Sequence, residues 1–255
     1  MLVLLPPSET KRDGGADGSS LALGTLRFAR LAPTRRRVLR AVTSLAGNEA
    51  ATIAALRLGP RQHGEVLRNR AVSTSPTMPA IDRYTGVLYD ALDAASLTDA
   101  ARSFAHEHLA VHSALFGPVA ALDAIPAYRL SWDSRLPGLP LAGTWSHAVT
   151  TALARESGLI LDLRSDGYTK LGPLPERADS ATVRVVTGAA GGTRPLNHFN
   201  KRSKGLFARA LLSSGVVLPD IPSLLDWATD AGFELEETAA GRLELVAVAP
   251  ALSPL

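Results

Sequence analysis

Three short apolar runs constrain this chain more than any other feature, because each predicts a β-strand. They are Leu2–Leu5, 158–163 and 181–186, and apolar runs of this length bounded by turn residues are typical of strands, the first two of them buried. Segments of helical period lie between and after these runs.

The predicted helices follow apolar stripes and helix-start signals. We predict helices at 33–46, at 48–57, at 98–111, at 143–155, from 203 to about 212 and at 222–232, and a terminal antiparallel hairpin at 233–238 and 242–248 that turns near Ala240 and Gly241. A loop is predicted at Gly117 and Pro118. Together these elements predict an α+β fold: one domain over residues 1–255, with a central β-sheet, surrounding helices and an acidic helix and hairpin at 220–255.

The two helices at 33–58 suggest a helix-hairpin-helix-like insertion. They are joined through Gly47 and Asn48, and residues 18–48 contain six arginines and no acid. In such motifs the backbone N–H groups of the hairpin bind DNA phosphates and make no base-specific contacts. An ordinary corner between two helices, with a solvated arginine face, is favoured slightly because the usual Gly-x-Gly hairpin is missing.

Charge is distributed unevenly along the chain. Residues 220–255 hold seven of the 24 acids and one of the 27 bases, which leaves a net charge of +9 on residues 1–219. Such a balance favours phosphates and polyanions as partners. No acid lies between Ser180 and Pro219, so the cations Lys201, Arg202, Lys204 and Arg209 have no neutralising neighbour in sequence.

Lysine is rare in this chain, so the few positions that keep it are candidates for a functional role. The chain has 23 arginines and four lysines: Lys11, Lys170, Lys201 and Lys204. Lysine is a compact charge whose pKa moves readily, whereas arginine is a planar fork that stays charged. We infer that these lysines do something a guanidinium cannot, and that the strand exits at Lys11 and Lys170 converge with Lys201 on one anion pocket. Chance retention of solvated lysines is the alternative.

Several segments resemble the YaaA peroxide-stress family, in order and over nearly the whole chain. The segments are Leu5-Pro6-Pro7-Ser8-Glu9-Thr10-Lys11, Tyr84-Thr85-Gly86, Ser113 to Gly117 with Tyr128-Arg129-Leu130, Ser165-Asp166 with Tyr168 and Lys170, and Lys201-Arg202-Ser203-Lys204-Gly205-Leu206. This resemblance implies a cytoplasmic bacterial protein of mixed α and β structure, with a basic cleft that binds duplex DNA, and protection from peroxide by keeping free iron low. Gly167 stands where many members carry Glu, which puts in doubt a role resting on that carboxylate.

Three functions follow as hypotheses. The first is duplex-DNA binding in the peroxide-stress response; the second is an enzyme acting on a small phosphorylated or nucleotide-like substrate, with Glu9, Lys11 and Lys170 as catalytic candidates. The third, direct iron binding, ranks last because the six scattered histidines offer no convincing ligand set. The predicted anion-binding or nucleic-acid-binding residues are Ser8, Lys11, Arg35, Arg36, Arg40, Arg83, Tyr84, Arg129, Ser165, Tyr168, Lys170, Lys201, Arg202, Lys204 and Arg209.

Composition excludes some chemistry. The chain has no cysteine, so disulfides, thiolate catalysis and cysteine-ligated metals are excluded. We expect no metal and no cofactor. We also expect no signal peptide, because the first apolar run is short, and no membrane partner, because no stretch approaches the length that crosses a bilayer.

Overall fold

A computed structural model describes residues 1–186 and 196–247, with the side chains of 196–198 excepted. Within that part of the chain the strands are β1 (Leu2–Leu5), β2 (Met78–Pro79), β3 (Leu109–Ser113), β4 (Gly117–Ala120), β5 (Ala124–Ile125), β6 (Ile160–Asp162), β7 (Ser180–Val186), β8 (Leu235–Ala239) and β9 (Arg242–Val246). The helices are α1 (Ala32–Leu45), α2 (Glu49–Leu56), α3 (Gly64–Arg70), α4 (Ala80–Arg83), α5 (Val87–Leu92), α6 (Asp99–His108), α7 (Leu141–Leu153), α8 (Asp166–Thr169), α9 (Leu196–Ser214) and α10 (Ile221–Asp230).

Seven strands form one mixed sheet in the order β4-β3-β1-β6-β7-β9-β8. The five central strands are parallel, and β4 and β8 pair antiparallel at the two edges. In β1, Val3 pairs with Leu109 on one side and with Leu161 on the other. The carboxyl ends of the parallel strands therefore meet at one edge of the sheet, which is where ligands bind in open sheets of this kind.

The core lies on both faces of the central strands. All four residues of β1 are buried, as expected for a parallel strand covered on both sides. On α7, the buried indole of Trp145 donates from Nε1 to the carbonyl of Ala114 at 2.9 Å. A Cβ on Gly117, whose φ is +66°, would lie 2.9 Å from that indole. Only glycine gives the β3–β4 turn both this backbone conformation and this close approach.

Helix α9 packs on α5 at very short range. A Cβ on Gly205 of α9 would lie 2.2 Å from the carbonyl oxygen of Leu88. The two helix backbones touch at this glycine, which fixes how α9 lies beside the sheet edge.

The predicted α+β class is confirmed, with two local corrections. The helix predicted at 98–111 ends at His108, and Leu109–Ser113 is strand β3, because sheet pairing with β1 overrides the local helical pattern. The loop predicted at Gly117 and Pro118 is instead β4, where Pro118 fits because β4 is an edge strand. The terminal hairpin is present, while its predicted last residue, Val248, lies outside the described residues. Helices α1 and α2 are present, but nothing in them confirms a helix-hairpin-helix, which stays a prediction.

Candidate anion-binding cleft

A cleft of about 680 Å³ opens at the carboxyl ends of β1 and β6 and along β7. The chain runs from β1 to β3 on one side and returns to β6 on the other, so the connections leaving β1 and β6 diverge and leave a crevice between them. The side chains that line it with charge or a hydrogen-bonding group include Ser8, Glu9, Thr10, Thr85, Tyr89, Ser131, Trp132, Arg164, Ser165, Asp166, Tyr168, Thr182, Arg184, Asn200, Lys201 and Lys204.

Lys11 holds the loop that leaves β1. Its Nζ donates to the carbonyls of Ser8 at 2.9 Å and Glu9 at 3.1 Å, and it lies 4.3 Å from the ring centre of Tyr128 and 5.4 Å from that of Tyr84. Lys11 is only 8% exposed. Its carbonyl and ring partners favour the ammonium form, whereas burial above all, and then the Arg129 charge, lower the pKa to about 7. Lys11 therefore lies behind the cleft wall and shapes it.

Glu9 projects from this loop into the cleft and is held by Arg129. Nη2 of Arg129 lies 2.6 Å from Oε2 of Glu9. The backbone of Arg129 is fixed in turn by buried Asn69, whose amide bonds the Arg129 N–H and carbonyl at 2.7 Å each. Sequence reasoning missed Asn69, because a single asparagine inside a helix gives no signal of a distant backbone partner.

Hydroxyl groups form a buried chain beneath the Lys11 ammonium. Tyr128 Oη lies 2.8 Å from Tyr84 Oη and 2.6 Å from Ser113 Oγ. Ser113 Oγ also accepts from the N–H groups of Leu115 and Phe116, at 3.0 Å each, which leaves its own proton to donate to Tyr128. Burial raises the pKa of Tyr84 and Tyr128 far above the usual range. Both tyrosines are neutral core residues, so Tyr84 is not placed to stack on a ligand.

A buried ion pair forms the exit from β6. Arg164 donates to Asp162 at 2.8 and 2.6 Å and, from Nη1, lies 2.6 Å from Nδ1 of His112. Burial, followed by the Arg164 charge, lowers the pKa of His112 well below its usual value, so His112 is neutral. Because a guanidinium can only donate, Nδ1 accepts and the proton sits on Nε2, an atom with no partner among the described residues. No sequence pattern indicated this trio, because it assembles from two strands.

Lys204 reaches the same loop from α9. Its Nζ donates to the carbonyls of Leu163 at 2.9 Å and Arg164 at 3.3 Å, and the residue is 7% exposed. Burial lowers the pKa of Lys204 to about 8, and the charges of Asp162 and Asp166 act against that shift. Lys201, one turn earlier on α9, and Arg184 on β7 are exposed and line the cleft. Arg184 was missed, since an arginine on the polar face of a strand looks like ordinary solvated charge.

The structure brings some predicted residues together and separates others. Ser8, Glu9, Ser165, Tyr168, Lys201 and Lys204 line the cleft, with Lys11 and Arg129 directly behind the Ser8–Glu9 loop. Lys170 is exposed, 5.8 Å from the ring centre of Trp132, and is not among the lining residues. The predicted convergence of Lys11, Lys170 and Lys201 on one pocket surface is thus only partly reproduced.

Three predicted anion-binding arginines are engaged by backbone carbonyls instead. Arg35 is fully buried and donates to Leu26, Arg27, Phe116 and Pro118. Arg83 is also fully buried and donates to Arg12, Gly14, Pro76 and Ile125. Arg209 donates to the carbonyls of Leu92 and Asp93 at 2.8 Å each. Arg35 and Arg83 are structural residues with no surface to offer a phosphate, whereas Arg36 and Arg40 are exposed on α1 and Arg202 is half-buried on α9.

Gly167 makes room for an aromatic side chain at the cleft. A Cβ at this position would lie 2.3 Å from Cε2 of Trp132, so the indole rests directly on the α8 backbone. Trp132 lines the cleft and is 40% exposed. The carboxylate that the family resemblance places here is replaced by a glycine and an indole.

Metal clusters and membrane-spanning helices are both absent from the described part of the chain. Residues 1–186 and 196–247 contain no group of three or more His, Asp or Glu side chains placed to hold a metal ion. None of the helices in these ranges combines the length and apolarity needed to cross a bilayer.

The mixed sheet and its strand-end cleft define an α+β protein with a ligand-sized crevice lined by cations and hydroxyls. The family model for the peroxide stress protein YaaA matches residues 1–239, and the chain belongs to this family.

Similar proteins cover nearly the whole chain. It is 41% identical to a UPF0246 protein of Corynebacterium efficiens over 242 residues, which is 92% of this chain and 95% of the relative. It is also 41% identical to a UPF0246 protein of Streptomyces coelicolor over 248 residues, 95% of this chain and 94% of the relative. A UPF0246 protein of Salinispora tropica is 29% identical over 243 residues, 92% of this chain and 89% of the relative.

Proposed function

We propose that this member of the peroxide-stress family binds duplex DNA and limits iron-driven oxidative damage. Exposed cations without acidic partners carry the proposal. Arg36, Arg37 and Arg40 share an exposed face of α1, and none forms an ion pair with another described residue. Like charges at i and i+4 destabilise a helix, a cost that bound phosphates would offset.

The first turns of α9 support the same proposal. Lys201 is exposed and Arg202 half-buried, in a segment that contains no acid from Ser180 to Pro219. Contacts of this kind go to the phosphate backbone and are blind to sequence. We therefore expect similar affinity for unrelated duplexes.

Salt dependence of binding tests the DNA proposal. Affinity for a short duplex of arbitrary sequence should fall steeply between about 50 and 200 mM salt. The triple variant Arg36→Gln, Arg37→Gln, Arg40→Gln should lower the slope of log affinity against log salt, by about 0.9 for each phosphate that it no longer neutralises. Arg57→Gln is the matched control, because Arg57 is an exposed arginine already paired with Asp133 at 3.1 Å. Salt-insensitive binding, or an unchanged slope in the triple variant, contradicts the proposal.

The link to iron is tested on the bound DNA. Strand breakage by ferrous iron and peroxide should fall when the wild-type protein is present, and the triple variant should lose protection in proportion to its lost DNA affinity. Full protection by a variant that no longer binds DNA would assign the effect to iron sequestration instead.

The cleft favours a second candidate, an enzyme acting on a small phosphorylated or nucleotide-like substrate. The specific observation is that the Glu9 carboxylate, fixed by Arg129, lies in the same cleft as Ser8, Ser165 and Lys204. A carboxylate held among hydroxyls and cations is suited to proton transfer. Phosphorus NMR of nucleotide and sugar phosphates incubated with the protein should reveal turnover that Glu9→Gln abolishes. Turnover unchanged in Glu9→Gln, or no product from any of these compounds, removes this candidate.

A further inference from the structure

The cleft has one cationic and one aromatic wall, contributed by different elements. Arg184 on β7 and Lys201 and Lys204 on α9 supply the cations. Trp132, seated on Gly167 of α8, supplies the aromatic surface. Because the cations come from β7 and α9 and the indole comes from the segment between β5 and α7, the two walls offer separate subsites within one crevice.

The charge that remains for a ligand at the cationic wall matches a phosphate monoester. Two charges of the lining are already neutralised, since Glu9 pairs with Arg129 and Arg164 pairs with Asp162. That leaves Arg184, Lys201 and Lys204 facing one acid, Asp166, among the lining residues. The resulting excess of two positive charges suits a phosphate monoester, which carries about −1.5 to −2 near pH 7.

Lys204 is held in place by the protein to bind an anion, unlike a lysine that extends into solvent. It is buried, and its Nζ already donates to the carbonyls of Leu163 and Arg164. An ammonium has three protons to donate, so one donor is left for a ligand. The pKa of Lys204 is lowered to about 8 because burial removes water from its ammonium group. An anion bound in the cleft would stabilise the charged form.

Trp132 offers an exposed aromatic surface at the same cleft, with Nζ of Lys170 at 5.8 Å from its ring centre. It is the one aromatic among the large apolar side chains that are exposed in the described part of the chain, at 40%. Its seat depends on the missing Cβ of Gly167. Aromatic faces of this kind stack on nucleobases, and the cleft volume of about 680 Å³ lies within the range of small-molecule sites.

We propose that the cleft binds a nucleoside monophosphate, with the phosphate on Lys201, Lys204 and Arg184 and the base stacked on Trp132. This site deepens the second candidate function above and is independent of duplex-DNA binding by α1. Occupancy requires no chemical reaction, so ligand binding without turnover would support the site while removing the enzyme candidate.

Calorimetry with three probes dissects the two subsites. AMP should bind, and ribose 5-phosphate and adenosine should each bind more weakly because each fills one subsite. Trp132→Leu should weaken AMP about fivefold to a hundredfold and leave ribose 5-phosphate unchanged. Lys204→Met should weaken AMP and ribose 5-phosphate about tenfold or more, while adenosine binding stays the same.

Two additional variants complete the experiment, one as an alternative to Lys204→Met and one as a control outside the cleft. Lys201→Met changes an exposed residue that the fold does not need, so it should reproduce the phosphate-specific loss even if Lys204→Met unfolds. Arg155→Gln, at an exposed arginine just after α7 and outside the cleft lining, should leave AMP binding unchanged. The proposal is overturned if AMP fails to bind at millimolar concentration. It is equally overturned if Trp132→Leu binds AMP like the wild type, or if Lys201→Met does so.

Discussion

The indole of Trp132 rests on the backbone of Gly167, at a distance that leaves no space for a side chain. A Cβ added to Gly167 would lie 2.3 Å from Cε2 and 2.6 Å from Nε1 of the ring. The backbone at this glycine is in the short helix α8, so glycine is required here by close approach. The identity of residue 167 thus decides which group faces the cleft at this point.

Gly167→Ala should expel the indole from its seat. Because Trp132 is already 40% exposed, it can swing outward, and we expect a loss of at most about 1–3 kcal/mol in the free energy of unfolding, the usual cost of overpacking. The shape of the cleft, and with it ligand binding, should change more than the free energy of unfolding does. Tryptophan emission should shift to longer wavelength as the ring enters water, and nucleotide affinity should fall as in Trp132→Leu. Gly143→Ala, at an exposed glycine of α7, provides the comparison.

The sequence predicted the helices of eight or more residues and five strands, β1, β6, β7, β8 and β9, because their signals are local. Apolar runs predicted β1 and β6, and periodic stripes predicted α1, α7 and α10. Residues 109–111 were wrongly predicted as helix because their partner strand, β1, lies more than a hundred residues away. Register and strand order depend on such distant pairs, which periodicity does not report.

The sequence predicted site residues whose type is rare in this chain. It did not predict those whose role depends on how distant segments pack together. Scarce lysines pointed to Lys11 and Lys204, and each has its ammonium held by two backbone carbonyls in a buried space. Arg35 was misjudged as a surface cation, although it continues the buried stripe of Val38 and Val42 on α1. That spacing could have identified it. The roles of Asn69 and His112 depend on partners far away in sequence.

Removing one partner of the Asp162–Arg164 pair should be costly. Both side chains are buried, and Arg164 donates to Asp162 through two nitrogens. Asp162→Asn leaves the guanidinium without its counter-charge, and we expect a loss of about 3–5 kcal/mol in unfolding free energy.

The exposed pair Arg57–Asp133 is the control for that measurement. Its members are 3.1 Å apart with side chains 56% and 38% exposed, so Asp133→Asn should cost less than about 1 kcal/mol. Chemical denaturation of both variants measures the contrast. Equal losses in the two variants would show that burial does not determine the contribution of the Asp162–Arg164 pair.

Two glycine-to-alanine changes in helices should have opposite signs. In α9, Gly205→Ala would place a Cβ 2.2 Å from the Leu88 carbonyl oxygen, and forcing α5 and α9 apart should cost about 1–3 kcal/mol. In α7, Gly143→Ala meets only Pro140 at 3.7 Å and should stabilise the protein by about 0.5–1 kcal/mol through helix propensity. Thermal melts of both variants test the pair. Stabilisation by Gly205→Ala would mean that the two helix backbones do not touch.

Lys11 should make stability depend on pH in a direction opposite to that of a lysine in an ordinary ion pair, whose pKa is raised. Burial lowers its pKa to about 7 in the folded protein, whereas an unfolded chain keeps a lysine pKa of about 10.4. Between these values the unfolded state binds more protons, so rising pH favours the folded state. Relative to Lys11→Met, the wild type should gain roughly 2 kcal/mol of unfolding free energy between pH 7 and 9.

The comparison isolates Lys11 because every other titrating group, Lys204 included, is present in both proteins and cancels. Arg129→Met should reduce the gain, since the Arg129 charge is the second cause that lowers the pKa of Lys11. Lys170→Met, which removes an exposed lysine, should track the wild type across the whole pH range. Urea denaturation at intervals of pH provides the measurement. A wild-type advantage that stays constant or shrinks from pH 7 to 9 would mean that the ammonium remains charged beneath the Ser8–Glu9 loop, held by its two carbonyls and two rings against the cost of burial.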